Sequence, residues 1–353
     1  MFRPRSYSNK EERDKGTITH VCVPATIYAL LQYMLLFDDD IVFHHTHYFL
    51  TDTSTRLVCK KLKATYFKTT FTKDWKGRIE RKFAKLTYIF ERRKYPFLKT
   101  AKLYANGHTA TYWLGRRSYS LLADAPDFLT HNMNVDSLEY QRQRRRSKTL
   151  QGKLEMLIYG KPVVCFLGNN DQCEEVYLTE PNISPVLQGK KVHIDTLQHL
   201  WEKASDYKKQ FIMEMFDLDS EVYALLLSKK IWFFSQPFTT DAQMTEEEYR
   251  DLLKKIIERY GEDKLLIKLH PRDKFDYGRY FPNIAKMSKP VNIQLLTLNK
   301  ILPEKAVAIC TGAVDCLPES VQLDWYGATA HPKILRFFGD QLIPQRAYNS
   351  VNI

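Results

Sequence analysis

The chain has no long uninterrupted hydrophobic run. Its most apolar stretch, VCVPATIYALLQYMLLF (21–37), is too short and too broken to span a bilayer, and DDD follows it. It reads as a first strand and a core helix. The first 16 residues mix charges of both signs with no apolar region beside them, so they read as a loose tail and not a secretory signal. None of the six cysteines (22, 59, 165, 173, 310, 316) forms a CxxC pair. Structural zinc is therefore not expected, and the thiols read as reduced and mostly buried, as in cytosol. There is no P-loop, no GxGxxG and no GxSxG, which removes the usual signals for NTP hydrolysis, dinucleotide binding and α/β-hydrolase chemistry. The basic run RQRRRSK (142–148) has no zinc-finger spacing, RNP-like motif or GxxG clamp with it. A solvated helix face or a contact with anionic lipid explains it as well as nucleic acid does. No repeat of solenoid period is present.

What is there is enough for real cores: 353 residues, 44% hydrophobic and 13% aromatic, which makes two domains the default. Lys+Arg number 53 against 41 Asp+Glu, a net charge of +12, and such a field favours polyanions or phosphorylated ligands. THVCVPA (19–25) reads as a strand that breaks at Pro24, and IVFHHTHYFL (41–50) alternates like a strand. RSYSLLAD (117–124) and KPVVCFLGN (161–169) read as strands, with helices expected over 76–91 and 138–160. A boundary falls near 215, giving domains 17–215 and 216–353. In the second, KKIWFFSQPF (229–238), KLLIKLHP (264–271) and KAVAICTGA (305–313) read as strands. They are separated by helices at 245–261 and 292–299, a pattern that implies a parallel sheet with right-handed crossovers. The expected class is α/β, with two Rossmann-like domains facing a central cleft. Ligands of such sheets bind at the carboxyl ends of the strands.

Those ends carry SQPFTTD (235–241), HPRD (270–273) and CTGAVD (310–315). Pro271 restricts His270 to extended backbone and so fixes where its ring is presented. Lys268 shares a strand face with His270, and Arg272 follows. A histidine donor between two cations suits a phosphate oxygen, either to stabilise its charge or to deliver a proton. Thr311-Gly312 offers a hydroxyl and N–H groups to an anion, and Ser235, Gln236 and Pro237, where Pro237 stops an earlier strand, are further donor-binding candidates. A general base is expected at Asp241. Glu247, Glu248 and Asp124 are alternatives, with Asp127 beside the last, although acids in a helix's first turn have an electrostatic reason of their own. The D-x-D pairs at 38–40 and 217–219 look incidental, so no metal is expected. HHTH (44–47) places His45 and His47 on one strand face but lacks a third ligand.

FFSQPF…D, then IKLHPRD, then ICTGA, in that order over about 230–315, resembles the bacterial glycosyltransferase family 52, which contains the lipooligosaccharide sialyltransferases. CVPATIYALL is similar to that family's opening strand and helix, with Val-Pro in place of Thr-Pro. YSLLADAPDF stands where related sialyltransferases carry an acidic pair and a glycine; here Ala125 and Pro126 intervene and the glycine is absent. The resemblance implies a GT-B fold, an acceptor-side N-terminal domain, a nucleotide-sugar-binding C-terminal domain and an inverting mechanism without metal or cofactor. It gives His270 the donor phosphate and Thr311 a second contact to it, with Gln294 near the point where relatives often carry a glutamate. The implied reaction is transfer of sialic acid from CMP-sialic acid to a terminal galactose of a lipooligosaccharide or capsular glycan. Partners would be the donor, the glycan or glycolipid acceptor and an anionic inner-membrane face, with a cytoplasmic, peripheral location and with homodimerisation left open. The competing readings are a transferase using UDP-hexose, a CDP-polyol phosphotransferase and a basic nucleic-acid-binding protein.

Overall fold

The computed structural model describes residues 18–51, 62, 64–67, 75–77, 92–106, 117–123, 148–150, 152–154, 172–180, 187, 189–270, 272–287, 291–339, 343–344 and 346–352. The chain divides into two compact units, Met1–Ile212 and Met213–Ile353. The expected strand at 161–169, most of the expected helices at 76–91 and 138–160, and most of the basic run at 142–148 lie outside the described residues.

The first unit is built on a parallel sheet whose strands are β1 (His20–Val23), β2 (Thr46–Thr51), β3 (Ala64–Phe67), β4 (Lys102–Ala105), β5 (Tyr119–Leu122), β6 (Cys173–Leu178) and β7 (Lys191–Ile194). Their order is β3-β2-β1-β4-β5-β6-β7, so the winding reverses between β1 and β4. Helix α1 (Ile27–Leu36) is apolar around its circumference and is buried from Ile27 to Leu35. Its one buried amide, Gln32, is satisfied by donating to the Tyr177 carbonyl at 3.1 Å and accepting from the Ala123 N–H at 2.9 Å. Thr26 caps the helix at the Ala29 N–H. Two short helices, α2 (Leu197–Lys203) and α3 (Asp206–Met215), follow β7.

The alternation at 41–50 does not give one long strand. Residues Ile41–His45 form a single helical turn, and β2 starts only at Thr46. The turn is closed by local bonds that alternation does not reveal: the Thr46 hydroxyl donates to the Ile41 carbonyl, and the Tyr48 hydroxyl to that of Val42. His45 and His47 therefore do not share a strand face. His45 pairs with Asp40 at 3.1 Å, and buried His47 bonds Thr65.

The second unit begins with α4 (Ser220–Ser228), which Asp219 caps. The D-x-D at 217–219 is thus a turn between helices, with Asp217 at φ 58°, and not part of a helix. Next come β8 (Ile231–Phe234), α5 (Glu246–Tyr260), β9 (Leu265–Lys268), α6 (Tyr277–Tyr280), β10 (Ala285–Lys286), α7 (Ile293–Leu298), β11 (Lys305–Ala308), β12 (Gln322–Trp325), α8 (Pro332–Phe338) and β13 (Asn349–Ser350). All described pairings are parallel, in the order β10-β9-β8-β11-β12-β13. β8 and β9 are buried at nearly every position, as strands covered on both faces must be. In α5 the buried residues Tyr249, Leu252, Leu253, Ile256 and Ile257 recur at helical spacing. A capping box starts it, with Thr245 and Glu248 bonded reciprocally, and Gly261 at φ 89° stops it. Each unit is of the expected doubly wound α/β class. No helix among the described residues is long and apolar enough to cross a membrane.

Candidate active site at the carboxyl edge of the second sheet

The winding of the second sheet reverses between β8 and β11, where the connections on either side run in opposite directions and leave room for a ligand. Ser235 follows β8, Thr311 lies three residues beyond β11, and Lys268 and His270 end and follow β9, the other neighbour of β8. The motifs read from the sequence are therefore adjacent at one edge.

His270 is held on three sides. Its main-chain N–H donates to the Ser235 hydroxyl oxygen at 2.9 Å, its carbonyl accepts from the Asp273 N–H at 3.0 Å, and its ring Nδ1 accepts from the Arg272 N–H at 3.1 Å. The last bond fixes the neutral ring as the Nε2–H tautomer. Burial, with the nearby charges of Arg272 and Lys268, pushes the imidazole down to about 4. At neutral pH it is an uncharged donor with a set direction. The same local turn recurs at His331-Pro332, where Nδ1 accepts from the Lys333 N–H at 3.2 Å and merely caps α8. The turn alone is thus not a functional signature; the surroundings of His270 distinguish it.

Chief among them is Lys268, which is 8% exposed. It stands opposite Phe234 in the β8–β9 register, its ammonium over that ring at 5.7 Å. No carboxylate among the described residues pairs with it, and burial pushes it down to about 8. A buried cation without a partner is the kind of group an anionic ligand would complete.

Asp241 sits in a tight turn whose Thr240 and Asp241 N–H groups bond the Pro237 carbonyl. Its carboxylate takes a bidentate pair from Arg272, at 3.0 and 2.8 Å. Arg272 thereby orients the His270 ring with its backbone and Asp241 with its side chain, and its guanidinium is engaged. Buried Thr311 accepts from the Ala313 N–H, while a Cβ on Gly312 would meet open space. Gln294, in the first turn of α7, donates to Cys316 Sγ at 3.1 Å. Gln236 is half-buried and Pro237 buried in the turn after β8. Of the alternative bases, Glu248 is committed to the capping box and to Lys333 at 2.7 Å, which holds its carboxyl below the usual range. Glu247 is exposed on α5. Pro271, Asp124 and Asp127 lie outside the described residues.

The sequence reading passed over Asp273. Its half-buried carboxylate accepts from the Phe275 N–H at 3.1 Å and from the Tyr277 hydroxyl at 2.8 Å. Proximity in HPRD was the only sequence signal for it. The first unit has its own cavity of about 550 Å3 beneath α1 and α2. Its charged groups answer one another: buried Lys208 bonds the Phe37 carbonyl and Asp39, and Asp195 bonds His199. At the second sheet's edge, by contrast, buried Lys268 has no carboxylate partner among the described residues, and this chemistry outweighs cavity size in choosing the site.

Residues 56–311 match the sequence profile of glycosyltransferase family 52, a span that includes Ser235, His270 and Thr311. An uncharacterised protein of Haemophilus influenzae is 31% identical over 167 residues, 47% of this chain; the chain spans only about half (54%) of that relative's length. Among solved structures, an α/β-galactoside α-2,3-sialyltransferase from the luminous marine bacterium Photobacterium phosphoreum aligns with a TM-score of 0.51. The alignment covers 95% of this chain and 99% of that one at 10% identity, a likeness of fold alone. The fold is of the GT-B kind, and the chain belongs to glycosyltransferase family 52.

Proposed function

We propose that this glycosyltransferase moves sialic acid from CMP-sialic acid to a terminal galactose of a lipooligosaccharide or capsular glycan, with inversion and without a metal. The observation that carries the reading is the pairing of a fixed neutral donor, His270, with Lys268, a buried cation that no carboxylate among the described residues pairs with, beside the switch point of the second sheet. In a CMP-sugar the leaving group is a phosphate whose second pKa is about 6, so full protonation is not required for departure. Preorganised donors suffice. The acceptor hydroxyl oxygen attacks the anomeric carbon as the bond to the phosphate oxygen breaks. The electron pair goes to CMP, whose phosphate His270 Nε2–H, Lys268 and the Thr311–Gly312 turn would receive. Asp241, held in register by Arg272, is the first candidate to take the hydroxyl proton. The net charge of +12 suits work on a lipid-linked glycan at an anionic membrane face.

The test is a donor screen against a terminal-galactose acceptor, run with and without excess EDTA, beside thermal-shift assays with CMP, UDP and CDP. Stabilisation by CMP and EDTA-insensitive sialyl transfer are expected. His270→Ala should lower turnover by about 100-fold or more while the melting temperature stays within a few degrees. Near wild-type turnover in that variant would sink the mechanism. Stabilisation by UDP with hexose transfer would move the reading to the UDP-hexose alternative.

A further inference from the structure

β8 and β9 are tied together beyond their last paired residues, Phe234 and Lys268. The Ser235 N–H donates to the Lys268 carbonyl at 3.1 Å, as a parallel ladder requires. The next rung of a regular ladder would run from the His270 N–H to the Ser235 carbonyl. It runs instead to the Ser235 hydroxyl oxygen, at 2.9 Å. A side chain thus stands in for a main-chain acceptor just where β8 turns away into Gln236 and Pro237. Ser235 is 3% exposed, and its two bonds bracket Lys268, Leu269 and His270.

We propose that Ser235 is a positioning residue, whose hydroxyl sets where β9 presents His270. The inference rests on the reading of His270 as the ligand of the donor phosphate. The other two bonds of His270, from the Arg272 and Asp273 N–H groups, lie within its own turn and move with it. The Ser235 bond ties that turn to another strand, and so fixes the turn as a unit against the sheet. The second His-Pro turn shows the difference. His331 Nδ1 also accepts from the next basic residue, Lys333, but the His331 N–H donates to the Ala328 carbonyl, three residues back in its own segment. There the turn caps a helix; at His270 it is anchored to the strand beside the switch point. Removing the hydroxyl would leave the His270 N–H short of an acceptor, and the turn would have to shift to find one. A small shift of a group that meets the reacting atoms is felt in the rate.

Ser235→Ala removes the acceptor and Ser235→Thr keeps it. Both are followed by kcat, donor KM, melting temperature and the hydrogen-exchange rate of the His270 amide. Tyr260→Phe takes from the Asp324 carboxylate a hydroxyl bonded to it at 2.8 Å, and controls for lost stability alone. Ser235→Ala is expected to lower kcat by about 10- to 100-fold, the scale of a misplaced catalytic group, with donor KM changing less than about threefold. Its His270 amide should exchange faster. Ser235→Thr should recover most of kcat and the slow exchange. Tyr260→Phe should melt lower yet keep both. Where Ser235→Ala does not fold, Ser235→Cys, of similar size and a weaker acceptor, should show the same changes to a smaller extent. The inference is overturned if the alanine or cysteine variant keeps wild-type kcat with slow exchange at His270. It is overturned too if donor KM rises as much as kcat falls, which would make Ser235 a direct contact of the donor. Equal loss of kcat in Tyr260→Phe would overturn it as well. A wild-type protein that transfers no sugar from any donor overturns the functional reading instead, and the exchange rates then decide on Ser235 alone.

Discussion

An ammonium that is 8% exposed and has no carboxylate partner among the described residues weakens the fold that holds it. Burial pushes Lys268 from 10.5 down to about 8. That shift corresponds to a penalty of roughly 3 kcal/mol on the charged form at neutral pH. The unfolded chain keeps this proton up to about 10.5, whereas the folded chain releases it near 8. Between those values the unfolded state binds more protons, so this group makes stability rise with pH across that window. Lys268→Met should therefore raise the unfolding free energy at pH 7 by about 1–3 kcal/mol and flatten its dependence between pH 8 and 10.5. The same variant should weaken CMP binding at least tenfold if the ammonium waits for phosphate. A variant that is both less stable and equally good at binding CMP would show Lys268 to be structural. His270 obeys the same sign: with its ring held down near 4, the unfolded chain binds the extra proton between about 4 and 6.5. Acid in that range works against the fold at this position.

Helix α5 shows what single elements contribute and how far they can be read. The Thr245 hydroxyl accepts from the Glu248 N–H at 3.1 Å, and the Thr245 N–H donates to the Glu248 carboxylate at 2.7 Å. Thr245→Ala should cost about 1 kcal/mol in chemical unfolding and leave turnover at the wild-type level. A large loss of turnover would mean that the start of α5 takes part in the reaction. This helix was legible because every local signal agreed: helical spacing of Leu and Ile, acids in the first turn, a threonine before them and a glycine after. β8, β9 and β11 were legible as short apolar runs, though each is shorter than its motif suggests, because the polar edge residues leave the ladder to turn. β12 was not legible. Its Asp324 interrupts a four-residue strand, and is tolerated only because Tyr260, Lys305 and Asn349, which are 64, 19 and 25 residues away, reach it. β4 and β6 escaped for the related reason that Lys102, Glu174 and Glu175 break their apolar pattern. At the site, His270 and Lys268 could be read from one motif, whereas the bond that holds the His270 N–H comes from a serine 35 residues earlier.

On the scale of the whole molecule, charge and topology make different claims. The surplus of 53 basic over 41 acidic residues attracts any polyanion and does not choose a site. Topology does choose, because both sheets have a switch point and, among the described residues, it is beside the second that a buried cation without a carboxylate partner and a fixed imidazole lie together. Nucleotide binding should then stabilise the protein by mass action, by about 2.7 kcal/mol at a concentration 100 times Kd. The stabilisation should be local in its footprint. In hydrogen exchange, CMP is expected to slow residues 235–241, 270–275 and 311–316 most, because their loop N–H groups form the edge. Residues around the first unit's cavity, such as Asp39 and Lys208, should change little, since their charges are already paired. Raising the salt concentration should weaken non-specific polyanion binding steeply and the CMP footprint much less, because a buried lysine is screened less than surface charges are. A CMP footprint centred on the first unit's cavity, or one that disappears with moderate salt, would remove the second sheet's edge as the donor site.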